Sequence, residues 1–326
     1  MRNSKTISDE LARSSVLVVG GGGFIGRALV SKLLSLGADV VSLVRTKKNQ
    51  SECRPNVTTI VADIRDHKSL KSALDGKSFD YVFNLGGYID HSPYNSGGRG
   101  VVDTHYVGIL NLLDEVYVPS LRGFIQIGSS DEYGNAPAPQ NERSREAPFA
   151  PYSAAKVGAT HLVQSLARTE SFPGVVIRLF LVYGPGQDDG RFLPQIIKAC
   201  LRNEEFKTSA GKQLRDFCYV NDVVDALVRS ALCQSAWGEV INVASGVPTT
   251  IKEVIEKVIG LVGGGKPLWG AYPYRKGENM ALYADVSLAE GLLKWRPETT
   301  LDDGLKKTIN YYKKNSTGVK RGKLSS

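Results

Sequence analysis

Short, almost continuous apolar runs alternate with segments of helical periodicity through the first half of the chain. The runs are too short for helices and are bounded by turn residues, which predicts buried strands. They are VLVVG at 16–20, DVVSLV at 39–44, VTTIVADI at 57–64, DYVFNLGG at 80–87, GFIQIGSS at 123–130 and VVIRLFLVYGPG at 175–186. Helical spacing lies between them, for instance at 24–36, 69–74 and 101–116. This alternation predicts an α/β fold with a parallel sheet and right-handed crossovers.

The pattern changes after Gly184. Helical periodicity then dominates, interrupted by one apolar run at 239–245, and proline- and glycine-rich connections separate the segments. The predicted helices cover 191–206, 220–234 and 250–262. We therefore expect a first domain over 1–183, which later segments rejoin, a second domain mainly over 184–312, and a basic flexible tail at 313–326.

The length and composition limit the class of protein. With 326 residues the chain can form one large domain or two modest ones. Hydrophobic residues make up 42% and charged residues 23%, which is typical of soluble globular proteins. No apolar run approaches the roughly 20 residues that span a bilayer, and the polar start MRNSKTISDELARS is not a secretory signal. We therefore expect a cytoplasmic protein with no membrane partner.

Cysteine spacing and charge exclude further classes. The cysteines lie far apart with no C-x-x-C pair, so we expect reduced thiols and no metal site. They are Cys53, Cys200, Cys218 and Cys233. Seven lysine or arginine residues and no acid occur from Lys306 onward, so nearly all of the net charge of +8 comes from the C-terminus. No aromatic–basic patch accompanies this charge, and we expect no nucleic-acid partner.

Glycines recur at every third position in VVGGGGFIG, where a predicted strand meets a predicted helix. Gly20 permits a tight turn, Gly23 lets the backbone approach a pyrophosphate, and Gly26 lets the helix pack closely on the strand. The first N–H groups of the helix and its dipole favour the anion. We therefore predict a dinucleotide-binding loop that includes Phe24 and Ile25.

The end of the second predicted strand bears on the choice of dinucleotide. An NAD site usually has an acid there that binds the ribose 2′-OH, but Val44 occupies that place. The residues that follow include the cations Arg45, Lys47 and Lys48. Because a guanidinium can pair with a 2′-phosphate through two hydrogen bonds, Arg45 favours NADP, with NAD still possible. We expect Asp63 to accept a hydrogen bond from the adenine amino group, next to Ile64.

A tyrosine and a lysine four residues apart in PYSAAK share one face of a predicted helix. A phenol has a pKa near 10, and we expect the Lys156 ammonium and a cationic nicotinamide to lower the pKa of Tyr152. Ser129 and Ser130, at the end of a predicted strand, are placed to bind a carbonyl oxygen. These four residues are the predicted catalytic group, and Tyr152 and Lys156 are also expected to contact the cofactor. The isolated histidines His91, His105 and His161 are interpreted as structural, with His91 a possible substrate contact.

The motifs GGGGFIG, DYVFNLGG, GSSDEYG, PYSAAK, RLFLVYGPGQ and LRDFCYVNDVVDAL together resemble those of extended short-chain dehydrogenase/reductases that modify nucleotide sugars. The resemblance covers roughly residues 14–312. It implies a Rossmann-type doubly wound parallel sheet and a smaller C-terminal α/β domain that binds the sugar nucleotide. It also implies a homodimer.

The same resemblance implies roles for single residues. Tyr152 would exchange the proton on the sugar O4, Lys156 would hold the cofactor ribose, and one of the two serines would bind O4. The segment that approaches the cofactor contains Asn84, Gly86 and Gly87. The arginines in stretches near the nucleotide diphosphate are Arg191, Arg215 and Arg275.

Three reactions begin with the same chemistry at C4. GSSDEYG looks most like the form found in reductases of 4-keto-6-deoxy nucleotide sugars. This favours NADP-dependent 4-ketoreduction in the synthesis of deoxysugar precursors for polysaccharides such as lipopolysaccharide O-antigen. A 4-epimerase is the alternative, although it usually has an acid at the end of the second strand. A 4,6-dehydratase uses a Thr-Asp-Glu set, and the shorter segment here would displace Asp131 and Glu132. An inactive NADP-binding regulator is a remote fourth possibility.

Overall fold

The computed structural model of the protein describes residues 4–47, 57–274 and 278–318. In chain order the strands are β1 Ser15–Val19, β2 Asp39–Val44, β3 Thr58–Val61, β4 Tyr81–Asn84, β5 Gly123–Ser129, β6 Gly174–Leu179, β7 Leu181–Tyr183, β8 Glu205–Lys207, β9 Leu214–Tyr219, β10 Val240–Val243, β11 Pro248–Thr250, β12 Lys266–Leu268 and β13 Ala281–Leu282. The helices are α1 Ser4–Leu11, α2 Phe24–Ser35, α3 His67–Leu74, α4 Gly98–Val102, α5 Gly108–Val116, α6 Pro151–Glu170, α7 Phe192–Leu201, α8 Val220–Ala231, α9 Ile251–Val262, α10 Ser287–Leu293 and α11 Leu301–Gly318. A π-helical turn, Asp103–Val107, joins α4 to α5, and short 3-10 helices cover Tyr94–Ser96, Ser130–Tyr133 and Gln234–Ala236.

A seven-stranded sheet has the order β10-β6-β5-β4-β1-β2-β3, and every neighbouring pair is parallel. Alternate residues of β1 point to opposite faces of this sheet. Val16 and Val18 pack with α2 and α8, whereas Leu17 and Val19 pack with α3, α5 and α6. Because both faces are covered, the strands are buried and have the continuous apolar runs seen in the sequence. The predicted Rossmann-type α/β fold is confirmed.

A smaller sheet surrounds β9, which pairs antiparallel with β11 and parallel with β7 and β13. Strands β8 and β12 form a separate parallel pair. Helices α7, α9 and α11 pack here through Ile197, Val254 and Leu305, all of which are buried. Such short strands assembled from distant segments form the smaller C-terminal α/β unit.

The chain crosses between the two sheets more than once. The run at 175–186 predicts one strand, but the structure divides it at Phe180: β6 joins the large sheet and β7 joins the small one. Both parts are apolar because both are paired inside the protein, so the sequence pattern does not reveal the change of partner. Later, α8 and β10 return to the large sheet.

The buried carboxylate of Asp216 on β9 connects these parts. It accepts hydrogen bonds from the Ser245 amide and hydroxyl at 2.6 Å, from the Gly246 amide at 2.9 Å and from the Ala284 amide at 3.3 Å. Burial raises the pKa of Asp216, and these hydrogen bonds oppose that rise. The carboxylate therefore joins β9 to the segment that follows β10, and thereby the small sheet to the large one.

The C-terminal helix differs from the predicted tail at 313–326. Helix α11 runs through Gly318, beyond the expected boundary, because Leu305, Ile309 and Tyr312 bury one of its faces. Residues 319–326 lie outside the described residues. None of the helices in the described part is both long and apolar enough to cross a membrane. Within the same residues no group of three or more His, Cys, Asp or Glu side chains could hold a metal ion.

Candidate active site

A cleft opens at the carboxyl ends of β1, β2 and β4, where parallel α/β sheets bind ligands. It contains a cavity of about 180 Å³ beside the glycine loop. The predicted residues on its wall are Gly20, Gly23, Arg45, Asp63, Ile64, Gly86 and Gly87. Residues on the same wall that the sequence did not single out include Gly22, Tyr88 and Thr104. The topology thus brings most of the predicted dinucleotide site into one place.

The glycine loop could not carry side chains. Gly20 has a φ of +80°, and a Cβ there would lie 2.9 Å from the Leu85 carbonyl oxygen. A Cβ on Gly26 would lie 2.2 Å from the Gly20 carbonyl oxygen, so α2 packs directly against the loop. Gly23 precedes the first turn of α2, and within the part of the chain that the structure describes no side chain caps the helix there. The first N–H groups of α2 are therefore left for an anion.

Two predicted residues of the loop point elsewhere. Phe24 lines a different cleft, beside Pro185 and Tyr219. Ile25 is half-buried and packs against the apolar core. Neither side chain is on the cavity wall, because the first turn of α2 directs both of them away from it. Only their backbone N–H groups, in that first turn, could contribute to anion binding.

The outer edge of the cleft is formed by the ends of β2 and β3. Val44 ends β2, and the Arg45 guanidinium is exposed, 5.9 Å from the centre of the Tyr88 ring. Asp63 is bonded by Arg65, with 2.6 Å between Nη2 and Oδ2, and this pairing lowers the pKa of Asp63. The carboxylate predicted to meet adenine is therefore already engaged by Arg65, which the sequence analysis missed.

Asn84 ends β4 and supports the turn that follows, and the next two glycines line the cavity wall. Asn84 is buried, donates to the Gln126 amide oxygen at 2.8 Å and is absent from the cavity wall. Its own amide oxygen accepts from the Gly86 N–H at 3.3 Å, so it shapes the turn. Gly87 has a φ of +138°, and a Cβ there would lie 2.1 Å from the His105 ring. The wall at this point therefore tolerates only glycine.

The predicted catalytic residues meet at the inner end of the cleft, beyond Gly87 and His105, and none of the four is on the cavity wall itself. Tyr152 and Lys156 lie in the first turns of α6 and are buried, with 4% and 5% of their surface exposed. The Lys156 ammonium donates to the Ile127 carbonyl oxygen at 2.7 Å and lies 5.9 Å from the centre of the Tyr152 ring. The Ser129 side chain is near enough to the Tyr152 phenol to lower its pKa by hydrogen bonding. Ser130 is also buried. Of the two serines, the electrostatics of the phenol therefore favour Ser129.

The protein's own groups do not supply the expected lowering of the phenol pKa. Burial raises the pKa of Tyr152, and the hydrogen bond from Ser129 only partly opposes that rise. The ammonium is directed to the Ile127 carbonyl rather than to the phenol. Burial also lowers the pKa of Lys156 to about 8, against the opposing charge of Glu132. Tyr152 is therefore a neutral phenol that holds its proton, and Lys156 titrates within reach of neutral pH.

Two histidines flank Tyr152, with ring centroids 5.6 Å away for His91 and 5.1 Å away for His105. His91 contacts the Asp131 carboxylate at 2.7 Å, and both side chains are partly exposed. His105 Nε2 lies 2.8 Å from the Tyr88 carbonyl oxygen, so this nitrogen carries the hydrogen, and Nδ1 is buried with no hydrogen-bond partner among the described residues. Burial lowers the pKa of His105 to about 3. Both histidines thus belong to the site, whereas the sequence marked only His91 as a possible contact.

Beneath the site lies a buried ion cluster around Arg178 of β6. Its guanidinium bonds Glu132 at 2.9 Å and Glu146 at 2.7 Å, and it stacks 4.5 Å from the centre of the Tyr133 ring. Arg178 and Glu132 are completely buried. Both acids come from the loop between β5 and α6, so their approach to a β6 arginine depends on the tertiary fold. The sequence offered only the unusual signal of a charged residue inside an apolar run.

The three arginines predicted to bind a diphosphate differ in their surroundings. Arg191 is exposed at the start of α7, and its charge lowers the pKa of Tyr152, which places it within electrostatic reach of the site. Arg215 is paired with Glu278 and donates to the Asn279 carbonyl oxygen at 2.8 Å. Arg275 lies outside the described residues. Arg191 is therefore the arginine best placed to meet a ligand directly.

The residues present fit a nicotinamide dinucleotide. The cradle at Gly20 and Gly26 leaves no room for a Cβ and presents helix N–H groups to an anion. The cavity wall leads along Gly86 and Gly87, and a Cβ at Gly87 would strike the ring of His105, which itself contacts Tyr152. A phosphate at one end and a proton-carrying group at the other are what such a cofactor requires for hydride chemistry.

Comparison with known proteins gives a consistent result. Residues 16–244 match the model of the NAD dependent epimerase/dehydratase family. A UDP-glucuronate 4-epimerase of Thermodesulfobacterium geofontis is 28% identical, over 94% of this chain and 99% of that protein. A dTDP-glucose 4,6-dehydratase of Xanthomonas campestris pv. campestris is also 28% identical, over 93% of this chain and 94% of that protein. The crystal structure of a UDP-glucose 4-epimerase from Thermotoga maritima, solved with UDP-glucose, superposes with a TM-score of 0.84 at 27% identity, covering 92% of this chain and 99% of the other.

Proposed function

Because the chain belongs to the NAD dependent epimerase/dehydratase family, we propose that it epimerises a nucleotide-linked hexose at C4. The observation that carries this proposal is the buried group of Ser129, Tyr152 and Lys156 at the inner end of the dinucleotide cleft. The 4-epimerases among the relatives support it, so the order of the candidates changes from the sequence analysis, which placed 4-ketoreduction first.

The bound dinucleotide would take up a hydride from C4 and return it. The chain's own residues handle the proton and the oxygen. In the first half, Ser129 and Tyr152 bind O4. The Tyr152 phenol must first lose its own proton to solvent, and the resulting phenolate, which the Lys156 ammonium favours, then receives the hydroxyl proton. In the second half, Tyr152 returns the proton to the same oxygen. The raised pKa of Tyr152 favours the protonated phenol, which suits the half in which a carbonyl is reduced.

A 4,6-dehydratase is disfavoured by the surroundings of Glu132. A dehydratase needs acids that reach the substrate, but this carboxylate is completely buried and accepts hydrogen bonds from Ser129, Thr160 and Arg178. Asp131 is partly exposed, so it is the acid of the GSSDEYG segment that a ligand can reach. One acid in place of two supports an enzyme that leaves C6 intact.

NADP-dependent 4-ketoreduction is the second candidate, and the outer edge of the cleft favours it. Val44 stands where an NAD site usually has an acid, and the exposed Arg45 guanidinium is on the cavity wall. We propose that Arg45 binds a 2′-phosphate, which makes NADP the preferred dinucleotide. A reductase consumes its cofactor at every turnover, so it depends on NADPH more than an epimerase does. Its product would be a deoxysugar nucleotide for polysaccharide synthesis.

One set of incubations separates the candidates. The protein is incubated with UDP-glucose, UDP-glucuronic acid or dTDP-glucose and each oxidised dinucleotide, and separately with dTDP-4-keto-6-deoxyglucose and NADPH or NADH. An epimerase yields the C4 epimer with no net change in nicotinamide absorbance. A reductase consumes NADPH in proportion to ketosugar, and a dehydratase makes a ketosugar from dTDP-glucose. No reaction with any of these sugars, in protein that binds dinucleotide, would contradict the proposal.

The homodimer implied by the family resemblance remains part of this proposal. Leu110 of α5 and Tyr117 just after it are exposed apolar side chains on the helical surface beside α6. They are available to pack against a second copy of the chain. Light scattering coupled to size-exclusion chromatography gives the mass directly, and a mass near 35.4 kDa would contradict a dimer.

A further inference from the structure

Glu132 is the most completely engaged acid near the active site. It follows β5 in the 3-10 turn Ser130–Tyr133 and has no exposed surface. Its Oε1 accepts from the Ser129 N–H at 2.7 Å, and its Oε2 accepts from the Thr160 hydroxyl at 2.8 Å and from Arg178 Nε at 3.0 Å. A buried carboxylate is very costly unless it is paired and hydrogen-bonded. Here both of its oxygens are bonded and the side chain has no exposed surface, so it cannot reach a substrate proton.

The Glu132 carboxylate is hydrogen-bonded to the residue that it positions. It holds the peptide N–H of Ser129, the residue whose side chain bonds the Tyr152 phenol. A Cβ on the preceding Gly128 would lie 2.6 Å from Glu132 Oε1, so the strand end has a glycine where the carboxylate folds back. Glu132 therefore fixes the backbone of Ser129, while the Asp131 N–H donates to the Ser129 hydroxyl oxygen at 3.2 Å and fixes the side chain.

The charge of Glu132 also reaches Lys156. Among the residues that the structure describes, no carboxylate lies within ion-pair distance of the Lys156 ammonium, which donates to the uncharged Ile127 carbonyl. The titratable groups around the ammonium are Glu132 from the 3-10 turn, His105 from the π-helical turn and Tyr152 from α6. The last two are uncharged at neutral pH, because burial lowers the pKa of His105 and raises that of Tyr152. Glu132 is thus the negative charge that favours the ammonium.

We propose that Glu132 is a positioning residue for the C4 chemistry: its hydrogen bond orients Ser129, and its charge keeps Lys156 protonated. The kinetic part of this inference rests on the proposed function, whereas the charge coupling can be tested without any substrate. The resemblance to dehydratases would make this acid a catalytic group, but its contacts give it a role through its neighbours.

The first experiment measures the titration of Lys156 in the full-length protein without substrate. NMR of isotope-labelled lysine follows the side chain with pH, and Lys156→Arg identifies its signal. Glu132→Gln keeps the size of the side chain but removes the charge, so we expect the midpoint to fall by about one pH unit. Glu146→Gln is the matched control, since it removes the other acid of Arg178, which does not act on Lys156. A midpoint that moves equally in both variants, or in neither, overturns the proposal.

The second experiment separates the charge from the hydrogen bond. Glu132→Asp keeps the charge but shortens the side chain, so we expect kcat to fall about tenfold while the alkaline limb of the pH–kcat profile stays in place. Glu132→Gln can still accept from Ser129, and we expect its alkaline limb to move to lower pH. Thr160→Val removes one hydrogen bond to Oε2 without changing the charge and should leave the limb in place. Identical profiles for Glu132→Asp and Glu132→Gln would reduce Glu132 to a structural residue.

Folding is checked by thermal unfolding of each variant. If Glu132→Gln does not fold alone, the double variant Glu132→Gln/Arg178→Met removes both charges of the buried pair, which proteins often tolerate better than losing one. We expect the same direction of shift for Lys156, because Arg178 is not among the groups that act on it. If the wild-type chain turns over no nucleotide sugar, the proposed function fails while the lysine titration still decides the charge coupling.

Discussion

The inner end and the outer edge of the cleft differ in burial and therefore in the strength of their electrostatic interactions. At the inner end, Ser129, Tyr152 and Lys156 are all less than a tenth exposed and are held by buried partners. At the outer edge, Arg45 is exposed, and Asp63 is paired with its near neighbour Arg65. Electrostatic interactions are much stronger in the buried environment than in the screened one.

This difference indicates which substitutions should affect proton transfer and which should affect dinucleotide preference. A proton-transfer group works only if its geometry and protonation are held in place, and burial supplies both at the inner end. The choice between two dinucleotides needs only one charge near one ribose, which an exposed side chain can provide. We therefore expect substitutions at the inner end to abolish chemistry or folding, and substitutions at the outer edge to change preference alone.

Of the predicted changes, Tyr152→Phe at the inner end should lower activity most. The variant removes the phenol that carries the proton while keeping the buried ring, so we expect kcat to fall by about 10³-fold. Dinucleotide binding, followed by fluorescence titration, should remain. Tyr272→Phe is a matched control, because Tyr272 is 56% exposed in the C-terminal unit. A Tyr152→Phe enzyme with full activity would show that another group moves the proton.

Arg45→Asp should change the outer edge while leaving the inner end intact. Loss of a charge-assisted contact, together with repulsion of a 2′-phosphate, should shift the NADP-to-NAD ratio of dissociation constants by about 10²-fold toward NAD. The ratio is measured by calorimetry with each dinucleotide. Lys47→Asp makes the same change in charge at an exposed position off the cavity wall and should have little effect. An unchanged ratio in Arg45→Asp would remove the basis for preferring NADP.

Gly87→Ala tests how tightly the wall behind the inner end is packed. Its φ of +138° and the 2.1 Å approach to His105 should together lower the free energy of unfolding by about 2 kcal/mol. Gly76→Ala is the control, because Gly76 also has a positive φ, +67°, but no atom within 4 Å of the added Cβ. Denaturant titrations compare the two variants. Equal losses would mean that backbone strain alone, and not contact with His105, sets the cost.

The pH dependence of kcat tests the inner end further and should give the smallest of these effects. Burial lowers the pKa of Lys156 from its ordinary 10.5 to about 8, so the ammonium is present below about pH 8 and lost above it. We expect kcat to fall about tenfold per pH unit above that value. Between pH 8 and 10.5 the unfolded chain binds this proton more strongly than the folded chain, so the contribution of Lys156 to stability rises with pH. Activity that falls only together with unfolding would contradict this account.

Local patterns made much of the fold and part of the site predictable. The glycine loop could be predicted because its pattern lies in consecutive residues. Helical spacing alone places Tyr152 and Lys156 on one face. The pairing of β7 with β9 was not predictable, because an apolar run does not indicate which strand pairs with it. Asn84 has the polarity of a ligand-binding residue, but its amide is satisfied by Gln126 on the neighbouring strand.

The amino-acid sequence by itself determined the alternation of strands and helices, the glycine loop and the order of the predicted proton-transfer residues, because these depend on spacing along the chain. Only the tertiary structure decided that burial raises the phenol pKa while Ser129 opposes that rise, and that Glu132 is bound by Arg178. Those properties depend on burial and on contacts between segments distant in the chain. The free energy of a charge depends on what surrounds it in space, and spacing in the sequence does not contain that information.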